Sequence, residues 1–337
     1  MKFLIIGFGS IGRRHAQNLI DLGETDLLVY RTGHSTLPLE MHLDLPVETD
    51  LERALAFRPD AVIVCNPTAL HLPVSLRAVR QGCHLFLEKP ISHTLEGVDE
   101  LQRLVEQKGV KVLVGFQYRF HPAIQTIRSW LREGKLGRPL WARVHWGEYL
   151  PDWHPWEDYR RSYSARRDLG GGVLLTLCHP FDYLHDLFGK ATHVSACVGM
   201  IGDLELDVED TAEVILHYAH RFMASVHLDY LQRPASHTLE IYGTRGKVTW
   251  NYHQGLLEFH PIDAESELGS RLLTFSVPAH SERNEMYRAE MAHFLRVIRG
   301  EEPPACSLED GIYALRVALA AHQAATTGVK TPISPTP

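Results

Sequence analysis

Lys2-Phe3-Leu4-Ile5-Ile6-Gly7-Phe8-Gly9-Ser10-Ile11-Gly12 is an apolar run that breaks into three glycines spaced G-x-G-x-x-G. The residues behind it, Arg13–Leu22, repeat apolar side chains at three- and four-residue intervals. A strand, a tight loop and a helix follow from that order. Gly7 permits the turn, Gly9 lets the backbone approach a pyrophosphate, and Gly12 lets the helix pack on the strand. The helix start then presents unpaired N–H groups and the positive end of its dipole to phosphate. Gly7, Phe8, Gly9, Ser10, Ile11 and Gly12 are therefore candidate cofactor contacts.

Working outward, four further apolar runs recur through the first 116 residues: Leu27–Tyr30, Ala61–Cys65, His84–Leu87 and Lys111–Phe116. Amphipathic stretches Pro73–Gln81 and Leu95–Lys108 lie between them. The alternation predicts right-handed βαβ units and an α/β fold, a Rossmann-type doubly wound parallel sheet. From about Glu209 the period changes to two. Ala212, Val214, Leu216 and Tyr218 share one face, and Phe222, Ala224, Val226, Leu228 and Tyr230 share another. Gly243-Thr244-Arg245-Gly246 reads as a tight turn between two more strands, so a mostly antiparallel sheet is expected here. Helical patterns at Glu285–Arg299 and Leu308–Ala325 close the chain. The expected division is 1–119, 120–330 and a frayed tail, 331–337, with three prolines.

A chain of 337 residues exceeds one ordinary core. A net charge of −7 argues against a nucleic-acid binder. No apolar run is long enough for a membrane helix. A leader cleaved from this N-terminus would remove the first strand, so a cytoplasmic location is expected. The five cysteines form no CxxC and suit a reducing compartment. No HExxH or Cys/His cluster appears, and His179 and His185 are too far apart for one helix face, so no metal is expected.

The end of the second strand bears on cofactor choice. An NAD-preferring fold places Asp or Glu there to accept from the ribose 2′-hydroxyl. This chain has Tyr30-Arg31-Thr32, with no carboxylate before Glu40. A guanidinium pairs with a 2′-phosphate, so NADP stands ahead of NAD, with Arg31 and Thr32 as contacts.

Several motifs then occur in a fixed order. They are the glycine loop; Asn66-Pro67-Thr68 with His71; Ala78–His84 leading into Glu88-Lys89-Pro90; and Gly115–Pro122. Gly134-Lys135-Leu136-Gly137, Gly170-Gly171-Gly172 through His179 and Asp182, and the Gly243–Gly246 turn complete the series. With them the chain resembles the Gfo/Idh/MocA oxidoreductases, whose prototypes are glucose–fructose oxidoreductase and inositol dehydrogenase. The block Trp153–Tyr163 is similar to members from surface-polysaccharide and nucleotide-sugar pathways. The resemblance implies a second, larger α/β domain with an open sheet for oligomer contacts, giving a homodimer or homotetramer. It implies hydride transfer between nicotinamide and a secondary carbinol of a sugar. The family lysine corresponds to Lys89 and the family histidine to His179, with Asn66, Pro67, His71, Glu88 and Lys89 at the cofactor.

A histidine suits the proton transfer that accompanies carbinol oxidation, and an ammonium stabilises the developing oxyanion. Lys89 and His179 are the candidate catalytic residues. The family pattern carries an aspartate before this histidine. Here Gly172–His179 is one residue shorter, and Thr176, which cannot be an anionic base near neutrality, takes its place. Arg160, Arg161, Arg166 and Arg167 concentrate positive charge beside Trp156 and Tyr163. They suit a phosphate, pyrophosphate or carboxylate group. Arg119, Trp156, Arg160, Tyr163, Thr176 and Asp182 are thus candidate substrate contacts. Two alternatives stay open: a cofactor-binding sensor without turnover, and a dehydrogenase of a free cyclitol.

Overall fold

The run Phe3-Leu4-Ile5-Ile6 is apolar on both faces, which suits a strand covered by helices on each side. In the computed structural model it is fully buried at the centre of a parallel sheet. The structure describes residues 1–33, 43–262, 272–279 and 283–333. Strands β1 (Lys2–Ile6), β2 (Asp26–Tyr30), β3 (Val47–Glu48), β4 (Ala61–Val64), β5 (His84–Glu88) and β6 (Val112–Gly115) lie in the order β3-β2-β1-β4-β5-β6. Every pairing in this sheet is parallel. Helices α1 (Ser10–Asp21), α2 (Leu51–Ala56), α3 (His71–Arg80) and α4 (Val98–Lys108) connect them. The strand order reverses between β1 and β4, and a crevice opens at such a switch point, at the carboxyl ends of the strands.

Two details depart from the sequence reading. The helix expected from Leu95 starts at Val98, because Gly97 takes a left-handed φ of 77° immediately before it. β3 and α2 went unread, being too short to show a period. Glu40 lies outside the described residues.

The second sheet follows α5 (Pro122–Arg132), β7 (Pro139–Gly147), α6 (Val173–Thr176) and α7 (His179–Phe188). Its other strands are β8 (His193–Gly199), β9 (Thr211–His217), β10 (Met223–Asp229), β11 (Ser236–Gly243), β12 (Gly246–Asn251), β13 (Leu256–Pro261) and β14 (Leu273–Ser276). Then come α8 (Asn284–Ile298), α9 (Leu308–Thr327) and β15 (Thr331–Pro332). The order is β14-β13-β12-β11-β7-β10-β9-β8-β15, antiparallel except for the β7–β10 pair. The alternation is as read: Ala212, Val214, Leu216, Ala224, Val226 and Leu228 are buried. Gly243–Gly246 turns β11 into β12. This combination of sheets is the expected α/β class.

The tail is a correction. Thr331–Pro332 pairs with β8, and the Ile333 N–H donates to the Thr192 carbonyl at 2.9 Å. A threonine buried at a strand position outweighs the fraying expected from three prolines. Residues 334–337 lie outside the described residues.

The chain divides into two compact units that interleave in sequence. One comprises Met1–Gln117, Trp156–Gly171 and Asn284–Leu315; the other comprises Tyr118–Pro155, Gly172–Arg283 and Arg316–Pro337. The first unit's opening segment ends at Gln117, beside the boundary expected after residue 119, and two later segments group with it. In α8, Phe294 packs edge-on against Phe86 at 5.5 Å, and Arg299 pairs with Glu24 at 2.9 Å. The Cys306 carbonyl accepts from the Val114 N–H at 3.0 Å, beside the last strand of the sheet.

Candidate functional site

The glycine loop sits at the switch point, and its geometry explains two of its glycines. Gly7 adopts φ 91°, and a Cβ there would lie 2.6 Å from the Asn66 nitrogen at the end of β4. A Cβ on Gly12 would collide with the Gly7 carbonyl oxygen. At Gly9, which precedes α1, a Cβ would meet nothing within 4 Å among the described residues. The residue before α1 is Gly9, which has no side chain to cap it, and no acid occupies the first turn. An open approach to uncapped helix amides fits a dinucleotide pyrophosphate. Phe8 is buried, while Ser10 is exposed. Because the sheet is parallel, the other expected cofactor residues share this carboxyl edge: Arg31 and Thr32 after β2, Asn66 and Pro67 after β4, and Glu88 and Lys89 at the end of β5. The Arg31 N–H donates to the Glu48 carbonyl at 3.1 Å, which ties its backbone to β3.

The Glu88-Lys89-Pro90 corner is built on a buried hydrogen bond and contains a cis Lys89–Pro90 bond. His15 Nε2 lies 2.7 Å from Glu88 Oε1, and the Lys89 N–H donates to Glu88 Oε2 at 3.1 Å. Burial pushes the Glu88 carboxyl up, but His15 and the Lys89 charge and amide outweigh it and hold the group below the usual range. His71 lies between two carbonyls, with Nδ1 2.8 Å from the Pro90 oxygen and Nε2 2.8 Å from that of Asn66. Burial pulls His71 below the ordinary histidine range, against the effect of those carbonyls. A neutral ring donates to one of these carbonyls, so His71 sits between the β4 and β5 corners on the carboxyl edge where a cofactor contact is expected of it. His15 was missed altogether. The available signal was its place three residues after Gly12, within the buried stripe of α1.

In the second unit His179 opens α7 and is buried. Tyr118 meets its ring edge-on at 5.0 Å, and Trp146 lies 5.6 Å away. Trp146 also stacks on His237 at 4.3 Å, and His237 Nε2 lies 3.2 Å from the Tyr183 hydroxyl, one turn beyond His179. Burial pushes the Tyr183 phenol well up, so it stays protonated near neutrality. Thr176 is buried at the end of α6. The Leu174 N–H at the start of α6 donates to Glu209 Oε1 at 3.1 Å. Tyr118, Trp146 and His237 come from separate segments, and nothing in the sequence aligns them.

Arg119 and Asp182, both expected at a substrate, pair with each other. Arg119 Nε donates to Asp182 Oδ2 at 2.9 Å and Nη2 to Oδ1 at 2.6 Å, with both side chains buried. This bidentate pair braces the first turn of α7 under His179. The arginine block is also less basic than it reads. Arg160 pairs with Asp158 at 2.9 Å and Arg166 with Asp168 at 2.5 Å, all at exposed positions. The segment does reach the expected neighbourhood within its unit: a Cβ on Gly170 would lie 2.9 Å from both Thr68 and His93, which follow the β4 and β5 corners. Trp156, Arg160 and Tyr163 belong to that segment.

A Rossmann sheet with a phosphate-ready loop defines a dinucleotide-binding oxidoreductase type. The family model described as the NAD-binding Rossmann fold of an oxidoreductase family matches residues 1–116, and that of the same family's C-terminal alpha/beta domain matches 128–333. The chain belongs to the Gfo/Idh/MocA oxidoreductase family. Myo-inositol 2-dehydrogenase of Thermotoga maritima is 27% identical over 342 residues, 96% of each chain. A levoglucosan dehydrogenase in complex with NADH superposes with a TM-score of 0.87 over all of both chains, at 19% identity. The WlbA dehydrogenase from Bordetella pertussis, in complex with NADH and UDP-GlcNAcA, gives 0.81 at 19% identity over 100% of this chain and 99% of its own. The two superpositions bear on the fold.

Proposed function

We propose that this protein transfers a hydride between a nicotinamide dinucleotide and a secondary alcohol or ketone on the ring of a sugar or cyclitol. The observation that carries the reading is the convergence of Gly7–Gly12, Arg31, Asn66 and Lys89 on one edge of the parallel sheet. Residues 1–119 would hold the cofactor; residues 120–330 would hold the substrate and the subunit contacts of a dimer or tetramer. When bound, the dinucleotide supplies the hydride acceptor or donor. Gly7–Gly12 hold its phosphates, Arg31 and Thr32 its adenosine ribose, and Asn66 and Pro67 line its path. His179 takes the alcohol proton on an imidazole nitrogen in oxidation and returns it in reduction. The Lys89 ammonium stabilises negative charge on the substrate oxygen. Thr176 offers a hydroxyl to a substrate hydroxyl.

Two substrate readings are open to test. Within Trp156–Gly171, Glu157, Asp158 and Asp168 offset most of the arginine charge, which favours an uncharged ring such as a cyclitol; similarity along 96% of an inositol dehydrogenase agrees. Arg161 and Arg167, with Trp156 as a wall, favour a nucleotide-linked or otherwise anionic sugar. Nicotinamide absorbance with a panel of cyclitols, neutral sugars and nucleotide sugars separates them. Turnover of one class supports that reading, and binding of dinucleotide without turnover of any supports a sensor. Arg31 predicts a Michaelis constant for NADPH no higher than that for NADH, and a strong NADH preference would remove its assigned role.

A further inference from the structure

Along β7 and β10, the strict alternation that sends Trp146 and Leu228 into the core sends His145, His227 and Asp229 to the opposite face of the nine-stranded sheet. His145 and His227 are register partners across the β7–β10 parallel pair. Their rings stack at 4.6 Å with planes 11° apart. One ligand atom from each of His145, His227 and Asp229 lies within 4.8 Å of the others. Asp229 is 95% buried by its 5% exposure, and its Oδ1 accepts from the Leu231 N–H at 2.7 Å, which leaves Oδ2 turned to His227 Nε2 at 3.0 Å. Gln232 Oε1 lies 2.5 Å from His145 Nε2. Gly147, the next residue of β7 on this face, makes room: a Cβ there would collide with Asp229 Oδ2 and lie 2.5 Å from Gln232 Oε1.

We propose that His145, His227 and Asp229, with the Gln232 amide oxygen as fourth ligand, form a site for a divalent transition ion, Zn²⁺ by ligand type. Two imidazoles, a carboxylate and an amide oxygen are the N/O set such ions take. Metal–ligand bonds of about 2.0–2.2 Å put tetrahedral ligand atoms roughly 3.4 Å apart, within the spread of these atoms, and one imidazole turns out of the stack to bring the ion into its ring plane. Glu213 supplies the outer contact: its Oε1 is 2.7 Å from His227 Nδ1, so it orients the ring by accepting the Nδ1 proton while Nε2 faces the ion. The ion replaces the proton between His227 Nε2 and Asp229. The site is structural, with four protein ligands and no position reserved for substrate. It clamps β7 to β10 on the face opposite Trp146, which packs against His179. No sequence motif marks this cluster, because its histidines come from two strands far apart in the sequence.

The test uses the untagged full-length protein, stripped with chelator and titrated calorimetrically with Zn²⁺, with Co²⁺ as a spectroscopic probe. The expected result is one ion per chain at micromolar affinity or tighter, and visible Co²⁺ bands of tetrahedral intensity. His145→Ala and Asp229→Asn should abolish both. Glu213→Gln should weaken affinity about 10–100-fold without changing stoichiometry. His179→Ala should bind as tightly as wild type. His227→Gln, which keeps a polar side chain, guards against a folding defect and should also lose the ion. No saturable uptake, or uptake that survives His145→Ala and His227→Gln, would overturn the assignment and leave the cluster a hydrogen-bonded network.

Discussion

At the residue scale the most consequential group is one that touches no proposed substrate atom. Glu88 is buried at the end of β5, and its carboxylate is kept ionised by His15 at 2.7 Å and by Lys89 beside it. Removing one member of a buried pair strands the other, at a cost of about 3–5 kcal/mol. His15→Ala should therefore lower the stability of the parallel-sheet unit by about 3 kcal/mol in urea unfolding, and His15→Gln, which can still donate, should recover part of it. A loss under about 0.5 kcal/mol would show that the pair is not the anchor of the Lys89 corner. The places of Lys89, just after β5, and His179, at the start of α7, were legible in the sequence because each ends or begins an element within a recognisable motif. His15 and His71 act through distances that no spacing rule encodes. The pairing of Arg119 with Asp182 was not legible for the same reason, since a charge in a motif looks alike whether it meets a ligand or another charge.

At the element scale, the start of α5 gives a pH-dependent prediction. His121 precedes the helix, its Nδ1 accepts from the Ala123 N–H at 3.1 Å, and Nε2 lies 3.0 Å from the Pro278 carbonyl. Burial pulls its pKa down to about 4, with the Pro278 carbonyl opposing. The unfolded chain binds this proton at about pH 6.5 and the folded chain only near 4, so stability falls as pH drops through that window. The full loss is about 3 kcal/mol, reached below about pH 4. His121→Asn keeps a capping oxygen but has nothing to titrate. Its unfolding free energy should change less than that of wild type between these pH values, and parallel curves would contradict the assignment. Elements with a clear period, such as β9, β10 and α1, were readable in advance. Short ones such as β3 and α2 were not, because two to six residues do not establish a period. β15 was hidden because burial of Thr331, rather than local propensity, decides its state.

At the scale of the whole molecule, the order of strand and helix patterns disclosed two sheets and their types. It did not disclose that Trp156–Gly171 and Asn284–Leu315 return to the first unit. Such returns depend on contacts like Phe86 with Phe294, which are remote in sequence. If the first unit binds the cofactor and His179 in the second transfers the proton, as proposed, the two tasks should separate on mutation. The most direct measurement compares wild type with His179→Ala, recording NAD(H) and NADP(H) binding and turnover of the best sugar or cyclitol in the panel. Dinucleotide affinity should stay within about twofold of wild type while turnover falls by about 10²–10⁴-fold, the usual worth of general acid–base catalysis. Wild-type turnover in His179→Ala would contradict the proposal.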